Sequence, residues 1–390
     1  MKYKGLFRLL AFMLVVICLV GCSQEATPLG SIDVAEVNFD TATNTSMGQM
    51  AETESGYYYI SPASLVYADK SDLQNWVAVC SDPSCNKHKS PTCPADVRSI
   101  YIDGDRIFTM RDAYRWNDPN ADDFAIFSMA LDGTDLKEEI IVAHTDMVGG
   151  GHFKRLCTAG AYYTAISTME TDGKYYNNLA VTDDRGTRII IENYTDEMYI
   201  PWDFKSSNMQ GDVVFFPDAV FASETSPDSM FRITDDGIEE IPGVQKFDTI
   251  GAFIQGNEMY RFEKNKGYYL TDLTTGQSQK WMEPQLQDSR AWHLTNQWIV
   301  ETNADYFQPP EVPELKIYNG SDWKTVALPP DVLNQPETSF VPQALTTEHI
   351  FFTVDDHTLY YVDLTEETYT FTLAKDFHLT EPISWAAENS

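Results

Sequence analysis

Cys80, Cys85, His88 and Cys93 fall within fourteen residues of a chain that has six cysteines in all, in the stretch VCSDPSCNKHKSPTC. Their spacing is Cys-x4-Cys-x2-His-x4-Cys. Three thiolates and one imidazole make a tetrahedral donor set suited to zinc or to another soft or borderline metal. Pro83, Pro91 and Pro94 stiffen the chain around them. The spacing is not that of a standard zinc knuckle, and no C-x-x-C pair accompanies it. Cysteines of exported proteins commonly pair, so the same residues also read as one local disulfide with a thiol left over, or as reduced thiols with no bridge. Cys157 begins a later repeat. A bridge from it to Cys80 would have to cross a whole sheet, whereas a disulfide tolerates a Cα separation of about 7 Å. It reads as a small buried core residue.

Other candidates are weaker. NDPNADD (Asn117 to Asp123) sets Asp118, Asn120 and Asp122 at alternate positions, as a calcium loop begins. It then has Asp123 where such a loop needs glycine, and Met129 where it needs a bidentate carboxylate, so a solvated turn is the better reading. His144 and His152 flank VGGG, which reads as a flexible connection. The chain has no GxSxG elbow, no HExxH and no phosphate-binding glycine loop. Its 59 acidic residues make chance carboxylate pairs plentiful, which leaves a glycosidase-type pair open without singling one out.

The elements that must position these residues are strands. Seven segments repeat at roughly 40 to 56 residues, each with a polar turn followed by a run rich in aromatic or β-branched residues. These runs include GYYYI, DRIFTM, AYYTAI, DVVFF, NEMYRF, NQWIV and HIFFTV. After most of them comes a hairpin with an Asp, Gly, Asn or Thr turn between two period-two runs. Four short antiparallel strands repeated radially predict an all-β fold, a seven-bladed β-propeller, or eight-bladed if the ends supply strands. The blades are expected at 48–80, 97–142, 153–193, 205–243, 248–282, 290–328 and 339–374. The 50 aromatic side chains (8 Trp, 21 Tyr, 21 Phe) are expected to fill the gaps between blades.

In such a blade the a–b and c–d turns lie at one end and the b–c and d–a connections at the other. The first set reads as tight and the second as long. Long loops on a rigid scaffold are where binding usually resides. The cysteine stretch is therefore expected to share an end with Trp116, Trp202 and Tyr306, aromatic anchors suited to a glycan, a peptide or a partner protein. The expected role is a binding or interaction module. The alternative is a hydrolase or lyase acting on extracellular polysaccharide or peptide.

The N-terminus speaks to compartment. Lys2, Lys4 and Arg8 precede twelve apolar residues, Leu9 to Val20, too few to span a bilayer but suited to a signal peptide. Leu19-Val20-Gly21-Cys22 resembles the bacterial lipobox, which implies diacylglycerol on Cys22 and a protein tethered to the outer face of the cell membrane. On that reading residues 1–21 are the signal peptide, 22–47 the lipidated cysteine and tether, 48–380 the propeller and 381–390 a tail. Cleavage removes three cationic residues and no acidic one, taking the formal net charge from −32 to −35. A field of that sign repels nucleic acid, so no nucleic-acid partner is expected.

LDGTDLKEE (Leu131 to Glu139) resembles the hairpin of TolB-type propellers, and LTDLTTGQSQKW (Leu270 to Trp281) that of quinoprotein-like propellers. The quinoprotein hairpin occurs once, whereas a pyrroloquinoline quinone site would need it in most blades. With the lipobox and the cysteine stretch, most of the chain resembles clostridial surface lipoproteins of unknown function. That resemblance implies a propeller on a lipid anchor and brings no activity.

Overall fold

The computed structural model describes residues 49–80, 85, 93–97, 100–112, 123–144, 152–158, 161–169, 175–183, 186–191, 194–195, 202–207, 213–217, 229–234, 237–245, 253–255, 257–293, 295–304, 310–333, 340–354 and 357–377. They are nearly all strand, with one short helix among them, α1 (Pro330–Leu333).

The strands fall into seven antiparallel sheets in chain order. The first holds β1 (Met50–Glu52), β2 (Gly56–Ile60), β3 (Leu65–Asp69) and β4 (Val77–Ala78). The second holds β5 (Tyr101–Asp103), β6 (Arg106–Asp112), β7 (Asp123–Ala130) and β8 (Lys137–His144). The third holds β9 (His152–Thr158), β10 (Ala161–Met169), β11 (Tyr175–Asp183) and β12 (Gly186–Ile191), with a short β13 (Tyr194–Thr195) added beside β11. The fourth holds β14 (Trp202–Ser207), β15 (Val213–Pro217), β16 (Ser229–Thr234) and β17 (Gly237–Gln245). The fifth holds β18 (Phe253–Gln255), β19 (Glu258–Glu263), β20 (Gly267–Asp272) and β21 (Ser278–Met282). The sixth holds β22 (Arg290–His293), β23 (Trp298–Thr302), β24 (Leu315–Asn319) and β25 (Trp323–Thr325). The seventh holds β26 (Phe340–Leu345), β27 (His349–Val354), β28 (Thr358–Asp363) and β29 (Thr372–Asp376). Apart from β13, the strands of each sheet pair in chain order, and no sheet borrows a strand from another.

One turn chemistry recurs. The turn between the third and fourth strands opens on Asp69, Asp132, Asp272, Asn319 or Asp363 in five of the sheets. Its side chain accepts a hydrogen bond from the backbone N–H two residues on, at 2.8–3.1 Å. Short polar side chains favour such turns because they hydrogen-bond their own local backbone. Bonds led by the Ser71 hydroxyl, the Thr134 hydroxyl and the Thr274 N–H hold Asp69, Asp132 and Asp272 below the usual carboxylate range.

Burial departs from the alternation that the sequence leads one to expect. Tyr57, Tyr58 and Tyr59 of β2 are all buried, as is every residue of β27. A middle strand is covered on both faces by neighbouring sheets, so its run is apolar on both sides. Alternation belongs to sheets with one wet face. The outermost strands are exposed, as at Ser278, Gln279 and Lys280 of β21.

The cores lie between sheets. Phe262, Tyr268, Ala291 and Ile299 pack the fifth against the sixth. Val300, Ile317, Phe340 and Phe352 pack the sixth against the seventh. Tyr57, Trp76, Phe351 and Leu359 pack the seventh against the first. Tyr58, Leu65, Ile107 and Met129 pack the first against the second. Backbone contacts set β14 beside both β9 and β18.

The junction of seventh and first sheets is also polar. The Tyr57 hydroxyl lies 2.9 Å from His349 Nδ1. Glu52 accepts from Lys70 Nζ at 2.6 Å and from the Thr347 N–H at 2.9 Å. Burial holds the His349 imidazole below its usual range, with Lys70 in the same direction and Asp363, Glu348 and Glu52 opposing. Burial likewise pushes the Tyr57 hydroxyl up to about 12, so it stays protonated. A histidine whose folded pKa is depressed binds its proton more readily when unfolded. The stability it contributes is full above its unfolded value of about 6.5 and falls as pH drops from there through the folded value. The urea midpoint is expected to fall between pH 7 and 5, and His349→Gln to flatten that slope. An equal slope in both proteins would assign the acid sensitivity elsewhere.

Candidate metal centre

The cysteine stretch connects the first sheet to the second, and one residue holds both of its ends. The Val79 N–H donates to the Leu65 carbonyl at 2.9 Å, and the Leu65 N–H donates to the Ala95 carbonyl at 2.8 Å. The loop thus leaves and re-enters at the first residue of β3. The Cys80 N–H donates to the Ala78 carbonyl at 2.8 Å, and the Asp96 N–H to the Cys93 carbonyl at 3.2 Å, which turns the chain sharply at each end.

This closure brings three thiols together. The sulfurs of Cys80, Cys85 and Cys93 all lie within 4.8 Å of one another. Cys80 and Cys93 Sγ are 3.7 Å apart, and no disulfide joins any two of the three. A disulfide needs sulfurs about 2.05 Å apart. Tetrahedral coordination with metal–sulfur bonds of about 2.3 Å puts neighbouring sulfurs about 3.8 Å apart. The Cys80–Cys93 separation therefore has the length of an edge of a thiolate tetrahedron.

The surroundings are apolar. Cys93 is 3% exposed, in one cluster with Val79, Ala95, Val97, Ile100, Ile107 and Met129, and Cys80 and Cys85 are half-buried against it. Burial, and next the neighbouring Cys85 and Cys80, push the Cys93 thiol up to about 12, against a hydrogen bond from the Ala95 backbone. A metal reverses that balance, since it binds the thiolate and displaces the proton.

His88, Trp116 and Tyr306 lie outside the described residues, as do Cys22 and the proposed calcium loop from Asn117 to Asp122. Trp202, expected in a connection, is the first residue of β14, its backbone opposite Pro217. His144 ends β8 and His152 begins β9. Cys157 lies within β9, opposite Tyr162 and two sheets away from Cys80. Strand alternation puts the b–c and d–a connections of every sheet at one end. Three sheets depart from the expected long b–c connections: the first turns tightly at Ser61 to Ser64, β19 ends at Glu263 with β20 starting at Gly267, and β27 ends at Val354 with β28 starting at Thr358; the first also has a longer c–d connection from 70 to 76.

Sequence reasoning missed what supports the loop. The Tyr58 hydroxyl donates to the Leu131 carbonyl at 2.9 Å, tying the first sheet to the β7–β8 turn. In that turn Gly133 has φ +81°, and a Cβ there would sit 2.7 Å from the Val79 carbonyl oxygen. Only glycine permits both the backbone angle and the approach. The Asp-Gly pair marked the turn but not its neighbour.

Among known proteins, no family description matches this chain, and neither does any curated relative. Solved structures that resemble it are β-propeller proteins at low identity. YCF48 from Cyanidioschyzon merolae is 9% identical, with 83% of this chain and 96% of that one covered and a TM-score of 0.47. The GH74 xyloglucanase from Xanthomonas campestris is 9% identical, with 89% and 55% covered and a TM-score of 0.47. The acylaminoacyl peptidase of Pyrococcus horikoshii is 12% identical, with 85% and 49% covered and a TM-score of 0.45. These likenesses are too distant to transfer a ligand or a reaction. Among the described residues, no helix is long and apolar enough to cross a membrane.

Proposed function

We propose that this chain is a lipoprotein, tethered to the outer face of the cell membrane through Cys22. Its seven sheets close into a seven-bladed propeller, and it binds a glycan, a peptide or a protein at the end that bears the b–c and d–a connections. Within it, Cys80, Cys85 and Cys93 hold a structural zinc ion or another soft metal, with His88 as the fourth ligand. The convergence of three thiols at the loop-bearing end carries this reading. A connection fixed by a metal presents the same surface each time, as a binding face requires. The apolar wall of the cluster suits a site that holds shape.

The test is on the detergent-solubilised mature protein, purified anaerobically without chelator, with metal analysis, intact mass and thiol counting on one sample. One equivalent of zinc is expected, with Cys80, Cys85, Cys93 and Cys157 all alkylated after chelation and denaturation. A two-dalton mass deficit without metal would replace the centre by a disulfide staple. For the binding face, glycan and peptide arrays are the screen. Unchanged capture after Trp116→Ala, Trp202→Ala and Tyr306→Ala together would remove those three from it.

A further inference from the structure

We infer that metal at Cys80, Cys85 and Cys93 locks the seam between the first and second sheets, so that occupancy sets how firmly those sheets hold together. This rests on the metal reading above.

Three observations carry it. First, the thiols are part of the core that joins the two sheets. Cys93, Val79, Ala95, Val97 and Ile100 come from the connection and share one buried cluster with Tyr58 and Leu65 of the first sheet and Ile107 and Met129 of the second. These residues of the connection thus fill space between the two sheets. Second, that seam includes the Tyr58–Leu131 hydrogen bond and the close approach of Gly133 to Val79, the residue next to Cys80. Third, both ends of the loop bond to Leu65 at the edge of β3, so a shift of the loop is passed directly to the first sheet. A metal bound to all three thiolates fixes their spacing inside the apolar cluster. With metal, the loop's contribution to the core is fixed. Binding and seam closure are then linked, and the linkage is reciprocal: whatever loosens the seam weakens the metal.

The experiment is hydrogen–deuterium exchange on the detergent-solubilised mature protein, zinc-loaded against chelated. Chelation is expected to speed exchange at least several-fold in residues 58–68 and 127–136, while residues 258–272 of the fifth sheet stay unchanged. Zinc that binds but whose removal speeds exchange only within 80–97 would overturn the coupling and leave the metal centre standing. Failure to bind zinc at all would remove both. Tyr58→Phe supplies the reciprocal test, because it deletes the seam hydrogen bond and keeps the ring. Its zinc affinity, measured by chelator competition, is expected to fall several-fold. A natively folded Tyr58→Phe with unchanged zinc affinity would overturn the inference as well.

Discussion

Glu301→Ala is expected to lower the stability of the protein by about 3–5 kcal/mol, among the larger effects a single substitution produces. Glu301 sits on β23 and is fully buried. Its carboxylate accepts from the Tyr268 hydroxyl at 2.5 Å, the Gln285 N–H at 2.9 Å, the Leu286 N–H at 2.7 Å and the Ser289 hydroxyl at 2.8 Å. Those donors come from β20 of the fifth sheet and from the connection between the fifth and sixth sheets. One carboxylate therefore binds two sheets and the chain that joins them. Burial, and next the charge of Glu301, push the Tyr268 hydroxyl well above its usual range, so it remains a donor. Removing the acceptor takes it from three buried donors and from the part-buried Gln285 N–H. Glu301→Gln is expected to rescue little, because its amide turns an N–H towards donors. Urea unfolding followed by near-ultraviolet circular dichroism measures both. A loss below about 1 kcal/mol in Glu301→Ala would mean that the donors find other partners.

The second large effect is expected at the junction of first and last sheets. Phe351 is fully buried, with its ring centre 4.9 Å from that of Tyr57 on β2 and 6.2 Å from that of Trp76 in the β3–β4 connection. Phe351→Ala removes the shared ring and leaves a cavity, at a cost of about 3–5 kcal/mol. Phe351→Leu keeps most of the volume and is expected to cost about half as much. If the alanine variant unfolds at the wild-type urea midpoint, the two ends of the chain do not depend on each other for stability.

The sheet boundaries were legible because each hairpin advertises itself. Asp132-Gly133-Thr134 and Asn319-Gly320-Ser321 lie between apolar runs, and the chemistry that marks such turns is local. Burial was less legible. The run His349 to Val354 gives no sign in its own sequence that both faces are covered, because the covering comes from other sheets. Trp202 read as loop because Pro201 precedes it and no alternating run begins there, yet pairing with β15 extends the strand to it. Glu301 was invisible: its donors lie 12 to 33 residues earlier, and nothing in WIVET distinguishes it from a surface glutamate. For the cysteine stretch, residue types and spacing were readable, and the choice between bridge and metal stayed open. What favours the metal is the distance between sulfurs, which depends on how Leu65 gathers the two ends of the loop.

The meeting of the first and seventh sheets also shapes the order of assembly. Tyr57 and His349 are 292 residues apart in sequence. A contact of that reach forms late, since closing so long a loop costs entropy before any contact rewards it. A chain delivered across a membrane N-terminus first would hold its first sheet half covered until the last one arrives. Tyr57, Tyr59 and Trp76 would face water throughout that interval. On such a route the excess of acidic over basic residues, 59 against 27, would act before folding is complete: mutual repulsion would oppose the joining of two copies through the sheet each is waiting to cover.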